Sequence, residues 1–138
     1  MITFTISTGD LSTETGSIGS GYAGAGAPPD GSPSAVNDPT RCSEHNVGPL
    51  PPGWYAIGAP EDGGPTGDYS MPLTPIEVPK LFGRGHFRFH GGLRGEKDTS
   101  PAVDPGGDRL ASEGCVVAGP VIRHAAWEGG HRLIHVVT

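Results

Sequence analysis

Gly85-His86-Phe87-Arg88-Phe89-His90-Gly91-Gly92 decides how this chain folds. Phe87 and Phe89 alternate with His86, Arg88 and His90. Period two is the signature of a strand with one face toward a core, so the rings face inward and the polar row faces out. Gly91-Gly92 lets the chain turn sharply after His90. Further on, Ser112-Glu113-Gly114-Cys115-Val116-Val117 sets a thiol after a glycine, which lets backbone N–H groups come close to a ligand. A thiol becomes a strong nucleophile when ionised, and its ordinary pKa is about 8.5. A histidine in reach supplies the base, and backbone N–H groups can hold an oxyanion. Cys115 and His90 fit those roles. The plainer reading makes Cys115 a small core residue and His90 a strand-end surface residue, but the glycines beside both weigh against it. His86 and His90 would suit one metal ion on a helix, but on a strand four residues span roughly 13 Å. No metal and no cofactor is therefore expected.

Working outward, residues 1–7 alternate Ile2, Phe4 and Ile6 against Thr3, Thr5 and Ser7, which predicts a half-buried strand. Residues 8–36 are rich in Gly, Ser, Thr and Pro and read as a linker, or as a loop along a substrate groove with Tyr22 as its large side chain. Residues 37–53 are turn-rich, and 54–58 read as a short strand with Trp54 in the core. Residues 59–73 form a second Gly/Pro loop. Ile76-Glu77-Val78 reads as a strand with Pro75 and Pro79 at its edges. Residues 93–110 carry Arg94, Lys97, Asp98, Asp104, Asp108 and Arg109 between base and nucleophile, so the 91–111 loop is a candidate lid. Pro120 before and Gly129 after residues 121–128 predict one short helix, with Val121, Ile122, Ala125 and Ala126 on one face. His124 and Trp127 are expected to pack, and Arg123 and Arg132 to be solvated. Residues 132–137 predict a closing strand largely buried on both faces.

The chain has 138 residues, enough for one domain spanning 1–138. Its 24 glycines and 15 prolines bring it near the level of disordered chains, and the strand signals favour instead a β-rich domain with many turns and long loops. A net charge of −6 argues against a nucleic-acid partner, which needs a basic surface. No basic amphipathic stretch suggests a membrane surface. Cys42 and Cys115 make no disulfide framework, and a bridge between them would silence the proposed nucleophile. No charged segment followed by an apolar run marks a signal peptide, and no apolar run is long enough to span a bilayer.

The order of these pieces resembles the L,D-transpeptidase (YkuD-type) catalytic domain. The pattern runs His90-Gly91, a loop, then Ser112-Glu113-Gly114-Cys115-Val116. It is similar above all to the compact branch that includes type VI secretion effectors. There a segment like Asn37-Asp38-Pro39, then Gly48-Pro49-Leu50-Pro51-Pro52-Gly53-Trp54-Tyr55, precedes the histidine strand. The resemblance covers about residues 37–117. Two features depart from the wider family. Glu113 stands where a second histidine is usual, and the loop from His90 to Ser112 is longer.

The resemblance implies a mainly β fold, an L,D-transpeptidase-like sandwich or barrel with long Gly/Pro-rich loops and one short helix. It implies that Cys115 attacks a peptidoglycan stem peptide, that His90 is the base, and that the Gly91 carbonyl orients the imidazole. The N–H groups of Glu113, Gly114 and Cys115 would form the oxyanion site. Arg88, His86, Ser112 and Tyr22 would contact substrate. The acyl acceptor would be a second stem amine, a D-amino acid or water. The branch further implies an antibacterial role in the periplasm, with secretion machinery and an immunity protein as partners. Two other readings separate from this one. A papain- or NlpC-type peptidase places Cys before His, and here His131 and His135 follow Cys115 closely. A non-catalytic wall-binding module would keep binding peptidoglycan without its thiol.

Overall fold

The computed structural model describes residues 1–91 and 114–138. The 91–111 lid, apart from Gly91, and the proposed contacts Ser112 and Glu113 lie outside the described residues.

Eight strands, one α-helix and a short 3-10 turn at Pro39–Arg41 make up the described fold. The strands and the helix are β1 (Ile2–Thr5), β2 (Asp10–Thr13), β3 (Gly16–Ser20), β4 (Gly53–Ile57), β5 (Met71–Glu77), β6 (Arg88–His90), β7 (Val116–Val117), α1 (Pro120–Glu128) and β8 (Leu133–Val137). The strands form one sheet in the order β3-β2-β1-β8-β4-β5-β6-β7. Two pairs, β1–β8 and β6–β7, are parallel, and the others are antiparallel. Tyr22, just past β3, bridges to Val117 in β7 through N–H···O bonds of 2.8 and 2.7 Å. The sheet thus curls until its two outer strands are linked, and the protein is mainly β.

The alternating segments supply the core. Ile2, Phe4 and Ile6 are fully buried, and they meet Leu11, Tyr55, Met71, Phe89, Ile134 and Val136 in one cluster. Each large apolar side chain buried there contributes about 1.5–3 kcal/mol. A buried residue's polar tip also needs a partner, and the Tyr55 hydroxyl donates to the Pro51 carbonyl at 2.6 Å.

Several expectations need correction. Residues 8–36 include the β2–β3 hairpin, held at its edge by Ser17 Oγ donating to Asp10. Leu11 is the one large apolar residue of β2 and is fully buried, and Ile18 of β3 packs against the same core. The histidine strand begins at Arg88, because His86 has φ +60°, outside the extended region. His86 is exposed and is not part of a polar strand row, and His90 is buried rather than outward in solvent. On α1 the buried face is Ile122, Arg123 and Ala126, while Val121 is 53% exposed. In β8 only Ile134 and Val136 are buried, and Leu133 is 40% exposed. Trp54 is half-buried and stacks on His135 at 4.1 Å rather than entering the core. His124 is exposed, stacks on Tyr69 at 3.6 Å and pairs with Glu128. Arg132 lies 3.3 Å over the Trp127 ring, so its guanidinium is stacked rather than simply solvated.

Candidate active site

β6 and β7 bring the two halves of the sequence pattern side by side. Phe89 pairs with Val116 and His90 with Val117, so one step back Arg88 faces Cys115. The Arg88 backbone N–H donates to Cys115 Sγ at 3.3 Å. A donor aimed at sulfur favours the thiolate over the thiol. His90 lies one diagonal step along the parallel ladder from Cys115. Strand spacing and rise put their Cα atoms roughly 8 Å apart.

His90 is 3% exposed, and its Nδ1 lies 2.7 Å from the Gly91 carbonyl oxygen. A carbonyl can only accept, so Nδ1 carries the hydrogen and Nε2 keeps the lone pair. Burial pushes the His90 pKa down, and the neighbouring Arg123 and Arg88 charges add to this, while the Gly91 bond opposes it. The ring is therefore neutral at neutral pH and able to accept a proton at Nε2. Gly91 is tightly fitted: a Cβ there would fall 2.6 Å from an Arg123 Nη2.

Cys115 is half-buried, and no disulfide joins it to Cys42. Cys42 is buried, its Sγ 3.7 Å from the Leu50 carbonyl oxygen, and burial pushes its thiol up to about 11. Cys115 opens instead onto a cavity of about 710 Å³, whose other walls include His45, Asn46, Thr66, Arg84 and His86. A second cavity of about 780 Å³, with Glu61, Ser70 and Arg88 on its walls, shares Thr66, His86 and Phe87 with the first.

The remaining expected contacts fall as follows. Tyr22 is fully buried against Val117 and Val36, so it braces the strand after the thiol and does not line a groove. Arg88 is already committed, with Nε donating to Ser70 Oγ at 2.7 Å and Nη2 to Glu61 and to the Ser70 carbonyl. It is a cavity wall, not a loose anchor for a carboxylate. His86 lines both cavities.

Two residues escaped the sequence reading. Arg123, expected in solvent, is 5% exposed and donates to the carbonyls of Ala118, Asp68 and Tyr69 at 2.9 Å. It locks the helix start to the 59–73 loop and abuts Gly91. Arg84 is 4% exposed and donates to the carbonyls of Cys42, Pro49 and Gly48 at 2.6, 2.8 and 2.9 Å. Its one sequence signal is a long cation between two glycines, Gly83 and Gly85. The Gly48–Tyr55 segment thereby acquires a physical role. Its carbonyls hold Arg84, the Leu50 N–H donates to the Gly114 carbonyl at 2.9 Å, and Gly53 opens β4.

Comparison with family models, curated proteins and solved structures finds no match. Among the described residues no group of His, Cys, Asp and Glu side chains is placed to hold a metal ion, and no helix is long and apolar enough to cross a membrane.

Proposed function

We propose that this protein is a cysteine acyl-transfer enzyme acting on peptidoglycan stem peptides, an L,D-transpeptidase or L,D-carboxypeptidase. The observation that carries the reading is the Cys115 sulfur accepting from the Arg88 N–H, one diagonal step from a buried neutral His90 whose Nδ1 meets the Gly91 carbonyl. The curled mixed sheet and the order of the two sequence segments support an L,D-transpeptidase-like barrel.

In the first half-reaction the Cys115 proton passes to His90 Nε2, and the thiolate attacks the carbonyl carbon of the stem peptide. The oxyanion draws on backbone N–H groups at Gly114 and Cys115, with Glu113 as the third candidate. The C–N bond then breaks, and His90 returns the proton to the departing amine of the terminal D-residue. A thioester remains on Cys115. In the second half-reaction a stem amine, a D-amino acid or water attacks it. His90 takes the proton of that nucleophile and returns it to sulfur as the C–S bond breaks.

Purified muropeptides incubated with the protein should give cross-linked, exchanged or shortened stems by mass spectrometry, and Cys115→Ser should give none. Turnover by Cys115→Ser would overturn the reading. We further propose delivery to the periplasm as an antibacterial effector. Expression behind an added signal peptide should then harm a bacterium far more than cytoplasmic expression, and equal harm from both would refute periplasmic action.

A further inference from the structure

We propose that a cavity on the outer face of β4, β5 and β8 binds an organic ammonium ion, with the Trp54 ring against the cation and the Glu77 carboxylate as its countercharge. Trp54 stands between buried Gly53 and Tyr55, and His135 between buried Ile134 and Val136, so both side chains point away from the core. They pair across β4 and β8, and their rings stack at 4.1 Å with planes 6° apart. On the other side of Trp54 the ladder breaks register. Tyr55 pairs with Pro75 but Trp54 pairs with Glu77, so Ile76 is an extra residue in β5. Such a bulge re-aims the side chains beside it. Regular pairing would set Ile76 opposite Trp54. The bulge sets a carboxylate there and leaves Ile76 59% exposed.

Trp54, His135 and Glu77 converge on a cavity of about 400 Å³, whose apolar walls include Pro52, Pro79 and Val137. Its size and lining suit a small ligand. The charge of that ligand follows from the carboxylate. Glu77 is exposed and makes no hydrogen bond or ion pair among the described residues, and neither Lys nor Arg lines the cavity. An anion would be repelled. A cation carrying methyl or methylene groups meets the carboxylate, the indole and the apolar walls together, and tryptophan is the best aromatic ring for holding it. The protein already uses this interaction on its other tryptophan, where the Arg132 guanidinium lies 3.3 Å over Trp127. Trp54 carries no such cation among the described residues. The cavity shares no lining residue with the two beside Cys115, so ammonium binding and acyl transfer are separate properties.

The test is an NMR titration of isotope-labelled protein with tetramethylammonium chloride at mildly alkaline pH, where an ordinary imidazole is neutral. The chain has two tryptophans, so its indole N–H region holds two signals, and the one lost in Trp54→Leu belongs to Trp54. If Trp54→Leu does not fold, Trp127→Phe makes the assignment. Tetramethylammonium should move the Trp54 signal saturably and leave that of Trp127 in place. Neopentyl alcohol, a neutral molecule of nearly the same shape, should bind at least about 10-fold more weakly. Glu77→Gln, at an exposed position that the fold does not need, should weaken tetramethylammonium binding about 5-fold. Equal binding of neopentyl alcohol, an equal response to sodium chloride at the same ionic strength, or unchanged affinity in Glu77→Gln overturns the proposal. A signal moved by methyl β-glucoside but not by tetramethylammonium overturns it too, and assigns the cavity to a neutral sugar. Muropeptide turnover without ammonium binding removes this site and keeps the enzyme. Ammonium binding without turnover does the reverse.

Discussion

Burial acts in opposite directions on His90 and Cys42, and both effects can be measured. At Cys42 it pushes the thiol up to about 11, so that sulfur is protonated and shielded. Native protein treated with iodoacetamide at mildly alkaline pH should carry one adduct, on Cys115. Denatured protein should carry two. Early labelling of Cys42 would show that the 42–50 segment does not pack as described. At His90 burial lowers the pKa from an ordinary 6.5. The unfolded chain then binds a proton that the folded one refuses, so stability falls as pH drops from about 6.5 toward the folded value and recovers above it. Urea midpoints should decline over that window in wild type, and the decline should be smaller in His90→Gln. The strand that ends at His90 was legible in the sequence because alternation and flanking glycines are local signals, although that strand begins only at Arg88. The left-handed φ of His86 was not, since nothing in its neighbours requires it. Arg84 was hidden for another reason: its acceptors lie about 40 residues earlier, at Cys42, Gly48 and Pro49.

Among the elements, α1 shows best where sequence patterning holds and where it yields. Pro120 at the first position and Gly129 after the last set its ends, with the Gly129 N–H donating to the Ala125 carbonyl. Its buried face turned differently from the apolar stripe, because Arg123 must reach inward to carbonyls of the 59–73 loop. Arg123→Met should leave the carbonyls of Ala118, Asp68 and Tyr69 short of a donor and cost about 1–3 kcal/mol or more. Chemical denaturation would read this as a lower midpoint at unchanged slope. Gly114→Ala meets two obstacles together, a φ of +134° and the 2.6 Å approach to Arg84. It should lower both the melting temperature and the alkylation rate of Cys115, and wild-type behaviour in both would show that the Gly114–Arg84 contact is loose. The β2–β3 ribbon illustrates the limit of composition as a guide. Glycine, serine and threonine describe a linker equally well until the edge of β1 offers a place to pair.

For the molecule as a whole, the first and last strands meet in the middle of the sheet. β8 lies between β1 and β4, with Ile134 opposite Ile2 on one side and Tyr55 on the other. The sequence showed both strands as apolar alternations, but not that they were neighbours, since period two records a face and not a partner. Deleting β8 should therefore leave the two halves of the sheet joined only through the Tyr22–Val117 bridge among the described pairings, and the shortened chain should lose cooperative unfolding altogether. A cooperative transition in that deletion would mean the halves are stable apart. The same placement governs the order of events during folding. Ile2 and Ile134 are partners from opposite ends of the described sequence, so the central pairing forms only after the chain between them has been brought round. Contacts so distant along the chain close slowly. A sheet knit together at its centre by its most distant partners is therefore sealed late, after its local hairpins have formed.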